Sequence, residues 1–441
     1  MVRYQPPMDW QQWVDWLAAG LHGRSRWRLS LVLMGMSFAK GRRTVTTWLR
    51  AAGVHDDFAD YYYFLQPLGR KSKQFAERLF TMLLLRMTPA RVELVVDDTP
   101  TKRYGPQVQG AGIHHNPTPG PADQKFLYGH IWVTISLALR HPLWQTIGLP
   151  LIGLLYVRAN EIAKIPKKYC WQFRTKLELA AGQVLKLAKM AHEFGKTVWV
   201  AADGAYAKRA FLKPLRASGV VVVSRLRKDA ALFDVPRPPK QRGRGRPRQY
   251  GAKRISLARR AAHPRGWQTV ECCVYGQLVT KTLKTFLATY RPAGGLIRVV
   301  IVKEDQGYQF FFSTQPRATP REIIEAFADR ATIEQDFHDV KEVWGAGQQQ
   351  VRNVWTNVAV FNLNLWMYTL VECWAWNQSA ESIRNRDDSP WDDANRRPSH
   401  ADRRKALCLR TLQNEYSELP TPLRRLSKIR NLYQRLLQLA A

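Results

Sequence analysis

Acidic residues are scarce in this chain: 35 Asp and Glu stand against 68 Lys and Arg in 441 residues, a formal net charge of +33. Cysteine is scarcer still. Cys170, Cys272, Cys273, Cys373 and Cys408 form no C-x-x-C pair and have no His at zinc-finger spacing. That excludes a disulfide framework and a structural zinc. The ten His residues are scattered apart from His114-His115. Long apolar runs are missing too. The longest clean stretch, Ile147 to Val157, is too short to span a bilayer. The N-terminus shows no basic segment leading into an apolar signal core. The expectation is a soluble, cytoplasmic protein with no membrane partner. What is present, 45% hydrophobic residues with 16 Trp and 17 Phe, describes a folded protein and not a basic tail. An excess of positive charge on such a body points to a polyanion as partner.

Residues 1–90 read as helical, with Trp10, Trp13, Trp16, Leu17 and Leu21 at helix spacing. A basic turn, Lys40-Gly41-Arg42-Arg43, precedes a short amphipathic run from Thr44 to Arg50. This is a candidate helix-turn-helix that places Arg42 and Arg43 on DNA; the plainer reading is a helical bundle with a basic surface. Strand candidates follow at Val92–Val96, His130–Leu139 and Ile147–Val157. A helix is expected over 173–194, stopping at Gly195, then strands at Val198–Ala202 and Gly219–Ser224. Residues 225–265 carry fourteen Lys or Arg against two Asp, a net +12, and read as an exposed basic arm. Strand-like runs resume at Thr269–Tyr275, Thr285–Tyr290, Ile297–Val302 and Gln309–Ser313. One helix is expected from about Pro320 to Trp344 and a buried one over 351–376. A polar linker (377–401) and two helical segments follow.

Three carboxylates stand at informative places. Asp97 and Asp203 lie at strand ends, and Glu334 lies inside a helix. Taken singly each reads more readily as a turn or cap residue. Together, the order strand, strand, strand, helix, strand around the first two resembles an RNase H-like core. Such a core gathers strand-end carboxylates and lays a third against them from a helix. Clustered carboxylates repel unless divalent cations sit among them, and oxygen donors suit Mg²⁺ or Mn²⁺. On the helix, Arg330, Glu334, His338 and Lys341 are spaced four, four and three, which puts them on one face.

Here the chain resembles bacterial insertion-sequence transposases of the DDE type. Their motif is a tyrosine, two residues, an arginine, three residues, a glutamate, six residues and a lysine. Phe327, Arg330, Glu334 and Lys341 stand at those spacings, with Phe327 lacking the tyrosine hydroxyl. Asp97-Asp98-Thr99 resembles the first-aspartate motif and Asp203-Gly204-Ala205-Tyr206 the second. The resemblance spans about 90–345. It implies catalytic and metal-binding Asp97, Asp203 and Glu334, with Asp98 the alternate to Asp97, and two Mg²⁺ ions for which Mn²⁺ can substitute. It also implies phosphate contacts by Arg330 and Lys341. The partner it implies is double-stranded DNA, both transposon ends and target, held by a homodimer on paired ends in the bacterial nucleoid.

The spacing of 131 from Asp203 to Glu334 exceeds what a bare RNase H-like core needs, so the resemblance implies an insertion that grips DNA, with Trp267 the candidate for stacking on an extruded base. Within the arm, Arg244-Gly245-Arg246-Pro247-Arg248 resembles an AT-hook core. Its arginines suit a narrow A·T minor groove. The fold expected is α/β: a helical N-terminal DNA-binding domain (1–90), an RNase H-like core (91–224 and 316–376), a basic arm with a β-rich insertion domain (225–315), and a linker with C-terminal helices (377–441). The function expected is a transposase that cleaves DNA and transfers strands. The alternatives are an RNase H-like nuclease without strand transfer and a domesticated DNA-binding protein without catalysis.

Overall fold

Helices form where the sequence opens with apolar residues at helical spacing. The computed structural model describes residues 4–116, 124–236, 248–384, 391–393 and 395–440. Five helices come first: α1 (Met8–Ala18), α2 (Arg26–Phe38), α3 (Val45–Ala51), α4 (Phe58–Arg70) and α5 (Ser72–Arg86). α1 buries Trp10, Trp13 and Leu17 and leaves Trp16 on its outer side. These helices do not fold around a core of their own. Their buried residues join one continuous cluster with those of the sheet and of α11 (Val354–Ala375). Phe75 of α5 stacks on Trp366 of α11, with ring centres 5.3 Å apart. α4 crosses α11 so closely that a Cβ on Gly69 would lie 1.8 Å from the Trp355 carbonyl oxygen.

The strands are β1 (Arg91–Lys102), β2 (Gly112–His115), β3 (Phe126–His141), β4 (Gln145–Tyr156), β5 (Thr197–Ala202) and β6 (Val221–Arg225), followed by β7 (Leu232–Phe233), β8 (Arg254–Ile255), β9 (Gln268–Val274), β10 (Gln277–Tyr290), β11 (Gly295–Glu304) and β12 (Gly307–Ser313). All belong to one sheet, ordered β2-β3-β1-β5-β6-β12-β11-β10-β7-β8, with β4 paired to β3 and β9 to β10. β1, β5 and β6 are parallel neighbours, joined by crossovers through α6 (Lys176–Glu193) and α7 (Arg209–Ala217). α6 begins at a capping box between Thr175 and Glu178 and ends before Gly195, whose φ is +69°.

Several expectations are corrected. The strands after residue 265 do not stand apart from the core: β12 pairs with β6 and carries the sheet onward. The flanks of the basic arm are ordered. Leu232 is buried, and the short helix α8 (Leu257–Ala262) buries Leu257 and Ala261. Arg244 and Arg246 lie outside the described residues; Arg248 is exposed. The single helix expected from Pro320 is two, α9 (Pro320–Asp329) and α10 (Thr332–Glu342). At the joint, Arg330 and Ala331 donate to carbonyls three residues back, a tighter turn than the α-helix.

α9 and α10 cover one sheet face, where Ile333 packs on Val95, Ala138 and Ala201. Val92, Leu94 and Val96 turn to the other face and into the large core. α12 (Ala380–Ile383), α13 (His400–Glu418), α14 (Thr421–Arg425) and α15 (Ser427–Ala440) close the chain. α13 is tied to α11 through a buried carboxylate. Burial opposes the charge on Glu372, but Arg403 at 3.1 Å and His400 at 2.6 Å overcome it and hold the group at about 2. No helix among the described residues is long and apolar enough to cross a membrane.

Candidate active site

The site begins with strand register. Val96 of β1 lies beside Ala202 of β5 in the parallel ladder, so the next residues of the two strands, Asp97 and Asp203, are neighbours. β1 does not stop at Asp97, as the sequence suggested. It runs on to Lys102 against β3, and only its pairing with β5 ends there. The chain leaves the sheet at Asp203, whose Oδ2 accepts from the Ala205 N–H at 3.2 Å and caps a single turn over Gly204–Tyr206. Alternation along the strands gives Asp97 the side of Val95 and Asp203 the side of Ala201, the face covered by α10.

Glu334 and Arg330 approach from that face. The Arg330 guanidinium donates to Asp97 Oδ2 at 2.7 Å and to Glu334 Oε1 at 2.8 Å, bridging the two carboxylates. Its own side chain is 12% exposed, whereas that of Glu334 is 62% exposed. Phe327, which stands where the transposase motif has tyrosine, is buried against Phe311. Its ring lies beneath two guanidiniums, with the Arg225 carbon 4.9 Å and the Arg330 carbon 5.4 Å from the ring centre.

Asp98 is placed otherwise. Its oxygens bind Lys176 Nζ at 2.6 Å and the Tyr206 hydroxyl at 3.2 Å, away from Arg330 and Glu334. Burial pushes Asp97 up to about 6, against the pull of the Asp98 N–H and of Arg330, and the carboxylates of Asp98 and Asp203 push it further. Tyr206 was legible in the D-G-A-Y motif, but its partner was not. Lys176 carried no signal in the sequence.

The donor types here suit a hard divalent cation, and Asp97, raised chiefly by burial, is a carboxylate whose charged form such an ion would stabilise. The carboxylates are not closed into a cage, since Arg330 stands between Asp97 and Glu334. Among the described residues no group of three or more His, Cys, Asp or Glu is arranged to hold a metal ion.

Lys341 lies on α10 two turns beyond Glu334 and is half-buried. Burial lowers its pKa, and among the described residues its ammonium has no hydrogen-bond or ion-pair partner. Past α10 the chain meets the turn between α2 and α3. The Arg43 N–H donates to Gln348 Oε1 at 2.8 Å, and Gln349 Nε2 donates to the Arg43 carbonyl at 2.9 Å. Arg42, Lys102, Tyr104 and Gln348 line an open groove of about 510 Å³. The candidate helix-turn-helix is thus docked on the loop following α10. α3 buries Val45, Trp48 and Leu49. Trp267 stacks on Tyr308 at 5.8 Å, with Lys284 Nζ 4.4 Å from its ring centre.

This arrangement of strand-end carboxylates under a helix agrees with the comparison by family. The family described as DDE superfamily endonuclease matches residues 17–288, more than half of the chain, and the chain belongs to it. The protein is therefore an enzyme of the nuclease and transposase class, with DNA as its substrate class. The match spans Asp97 and Asp203 and ends before Glu334. Comparison with curated proteins gives no match.

Proposed function

We propose that the chain is an insertion-sequence transposase, an RNase H-like DDE enzyme that binds terminal inverted repeats, cleaves at the ends and joins the freed 3′-OH to target DNA. The observation that carries this reading is the meeting of Asp97, Asp203, Arg330 and Glu334 on one sheet face. The sheet path β4-β3-β1-β5-β6, with antiparallel β1, β3 and β4 followed by parallel β5 and β6, supports the RNase H-like assignment.

Asp97, Asp203 and Glu334 would hold Mg²⁺ or Mn²⁺. Bound divalent cations supply positive charge to the attacking and leaving oxygens of a phosphodiester. The remaining work belongs to side chains. Asp97 and Asp203 are fixed by strand register and need no reorganisation to act. Arg330, stacked on Phe327, neutralises the carboxylates in the absence of DNA and is within reach of a phosphate once they are otherwise neutralised. Lys341, half-buried and without a hydrogen-bonded or ion-paired partner among the described residues, positions a second phosphate. Arg42, Arg43 and the arm containing Arg244, Arg246 and Arg248 add backbone contacts.

The test is a cleavage and joining assay with a duplex carrying the element's own end. Wild type with Mg²⁺ should nick the end and join it to a plasmid, and Asp97→Ala, Asp203→Ala and Glu334→Ala should do neither while still binding DNA. Undiminished cleavage by Asp203→Ala overturns the reading. Nicking without joining assigns the chain to the nucleases.

A further inference from the structure

We propose a monovalent-cation site beneath α10, in which the buried carboxylate of Asp336 and the hydroxyls of Ser136 and Tyr368 take an alkali ion, K⁺ or Na⁺. The ion would tie α10 to β3, β4 and α11. The site is separate from the one described above and does not depend on how that one is read.

Asp336 and Glu334 are two residues apart on α10, about 200° around the helix. Glu334 points outward, its side chain 62% exposed, and Asp336 points inward, at 1%. Below Asp336 lies Gly148 of β4, where a Cβ would sit 2.4 Å from both carboxylate oxygens. The missing side chain makes the room that the carboxylate fills. Ser136 of β3 lies on the same face. It pairs with Val95, and Gly148 pairs with Ala138, in the register that turns these positions toward α10.

Both oxygens of Asp336 and the Ser136 hydroxyl are buried without a hydrogen-bond partner. The Ser136 and Tyr368 hydroxyls stand near enough to favour charge on the carboxylate, yet neither closes a hydrogen bond to it. Oxygens that converge without bonding one another are the arrangement a cation requires. The neighbouring carboxylates of Glu372 and Asp339 add to the negative charge. Among the described residues no cation pairs with Asp336; Arg397 lines the same cavity but does not bond to it. A buried carboxylate without a partner is costly, and a bound cation removes that cost.

The donor set fixes the class of ion. One carboxylate with neutral hydroxyls carries a single formal charge, which a singly charged ion balances. Mg²⁺ and Ca²⁺ draw on further carboxylates or on substrate phosphate, and among the described residues no group of three or more His, Cys, Asp or Glu is arranged to hold a metal. The adjoining cavity measures about 250 Å³, enough for an ion with part of its water. It is walled by β4 at Gln145–Gly148, by Tyr275 and Gly276 of the β9–β10 turn, by the joint of α9 and α10, and by Tyr368.

The experiment follows Tm of the full chain without divalent ions. Tetramethylammonium chloride, whose cation is too bulky for oxygen coordination, is replaced stepwise by KCl or NaCl. Chloride and ionic strength stay constant, so screening of the +33 charge does not change. Wild type should show a saturable rise in Tm, roughly 2–3 °C at a hundredfold excess over Kd. Asp336→Asn keeps the shape, removes the charge and should abolish the rise. Should that variant fold poorly, Ser136→Ala should need about tenfold more salt for half-saturation. No rise in wild type overturns the proposal and makes Asp336 a neutral acid. An equal rise in Asp336→Asn overturns it by placing the ion elsewhere. A rise with methylammonium chloride but with neither alkali salt gives the cavity to an organic amine and overturns the alkali assignment. Asp203→Ala should keep the rise. If it keeps both the rise and full cleavage, the catalytic reading falls and the cation site stands.

Discussion

Tyr206 donates its hydroxyl to Asp98 at 3.2 Å. The bond ties the residue after Asp97 to the turn after Asp203, and so links the two carboxylate-bearing strand ends behind the face where Asp97 and Asp203 meet. Tyr206→Phe removes that tie and leaves a partly buried carboxylate to Lys176 alone. It should cost about 1–2 kcal/mol in urea unfolding. Mg²⁺ binding, followed by titration calorimetry, should weaken while DNA affinity stays unchanged. An unaltered Mg²⁺ affinity refutes the role.

The raised pKa of Asp97 is also a statement about stability. Its ordinary value is 3.8 and its folded value about 6. The folded protein thus holds this proton more tightly than the unfolded chain does. The stabilisation is complete below about pH 4 and is lost as pH rises through 6. Without divalent metal, Asp97→Asn should be more stable than wild type at pH 7.5 by about 2–3 kcal/mol, and equal to it at pH 4. Denaturant midpoints at the two pH values measure this. A variant less stable at pH 7.5 contradicts the cost of burying this charge.

Arg330 lowers Asp97 and bridges it to Glu334. Arg330→Gln should raise Asp97 further and shift the acid limb of the Mg²⁺-dependent cleavage profile to higher pH. Lys would keep the charge but not the two-pronged geometry, so Arg330→Lys should restore the limb but not the full rate. A pH profile that does not move in Arg330→Gln rejects the coupling.

Lys341 has neither partner nor full exposure among the described residues. Lys341→Ala should reduce cleavage at saturating DNA by about 10²–10³ and leave Tm nearly unchanged, because a desolvated, unpaired cation contributes little to stability. Wild-type turnover under saturation marks the lysine as mere surface.

Gly69 tests the packing of the N-terminal helices. A Cβ there meets the Trp355 carbonyl at 1.8 Å. Gly69→Ala should destabilise by at least about 3 kcal/mol, through one unfolding transition reported alike by circular dichroism and tryptophan fluorescence. Two separate transitions would show that these helices melt on their own.

Much of the fold was legible because it rests on local periodicity. The Trp10–Leu21 pattern, the stop at Gly195 that ends α6 and the near-continuous apolar run of α11 each follow from the residues themselves. The carboxylates were legible through spacing. What was hidden depends on partners far along the chain. The break at Arg330–Ala331 has no Gly or Pro to announce it, and it separates Arg330 from the helix that carries Glu334. The assignment of Asp97 and Asp98 to opposite duties required knowing that α10 covers the Val95 side. The continuation of the sheet beyond β6 required the pairing of Ser224 with Phe312, residues 88 apart, which no local pattern encodes.

The shared core of the five N-terminal helices bears on how copies of such a gene decay. Phe75 has its stacking partner at Trp366, and Gly69 its neighbour at Trp355. A frameshift anywhere before α11 removes the helix that α4 crosses and the Trp366 on which Phe75 stacks. The resulting fragment exposes a broad apolar surface, fit for aggregation or proteolysis. Broken copies of this architecture would thus not yield a surviving N-terminal piece.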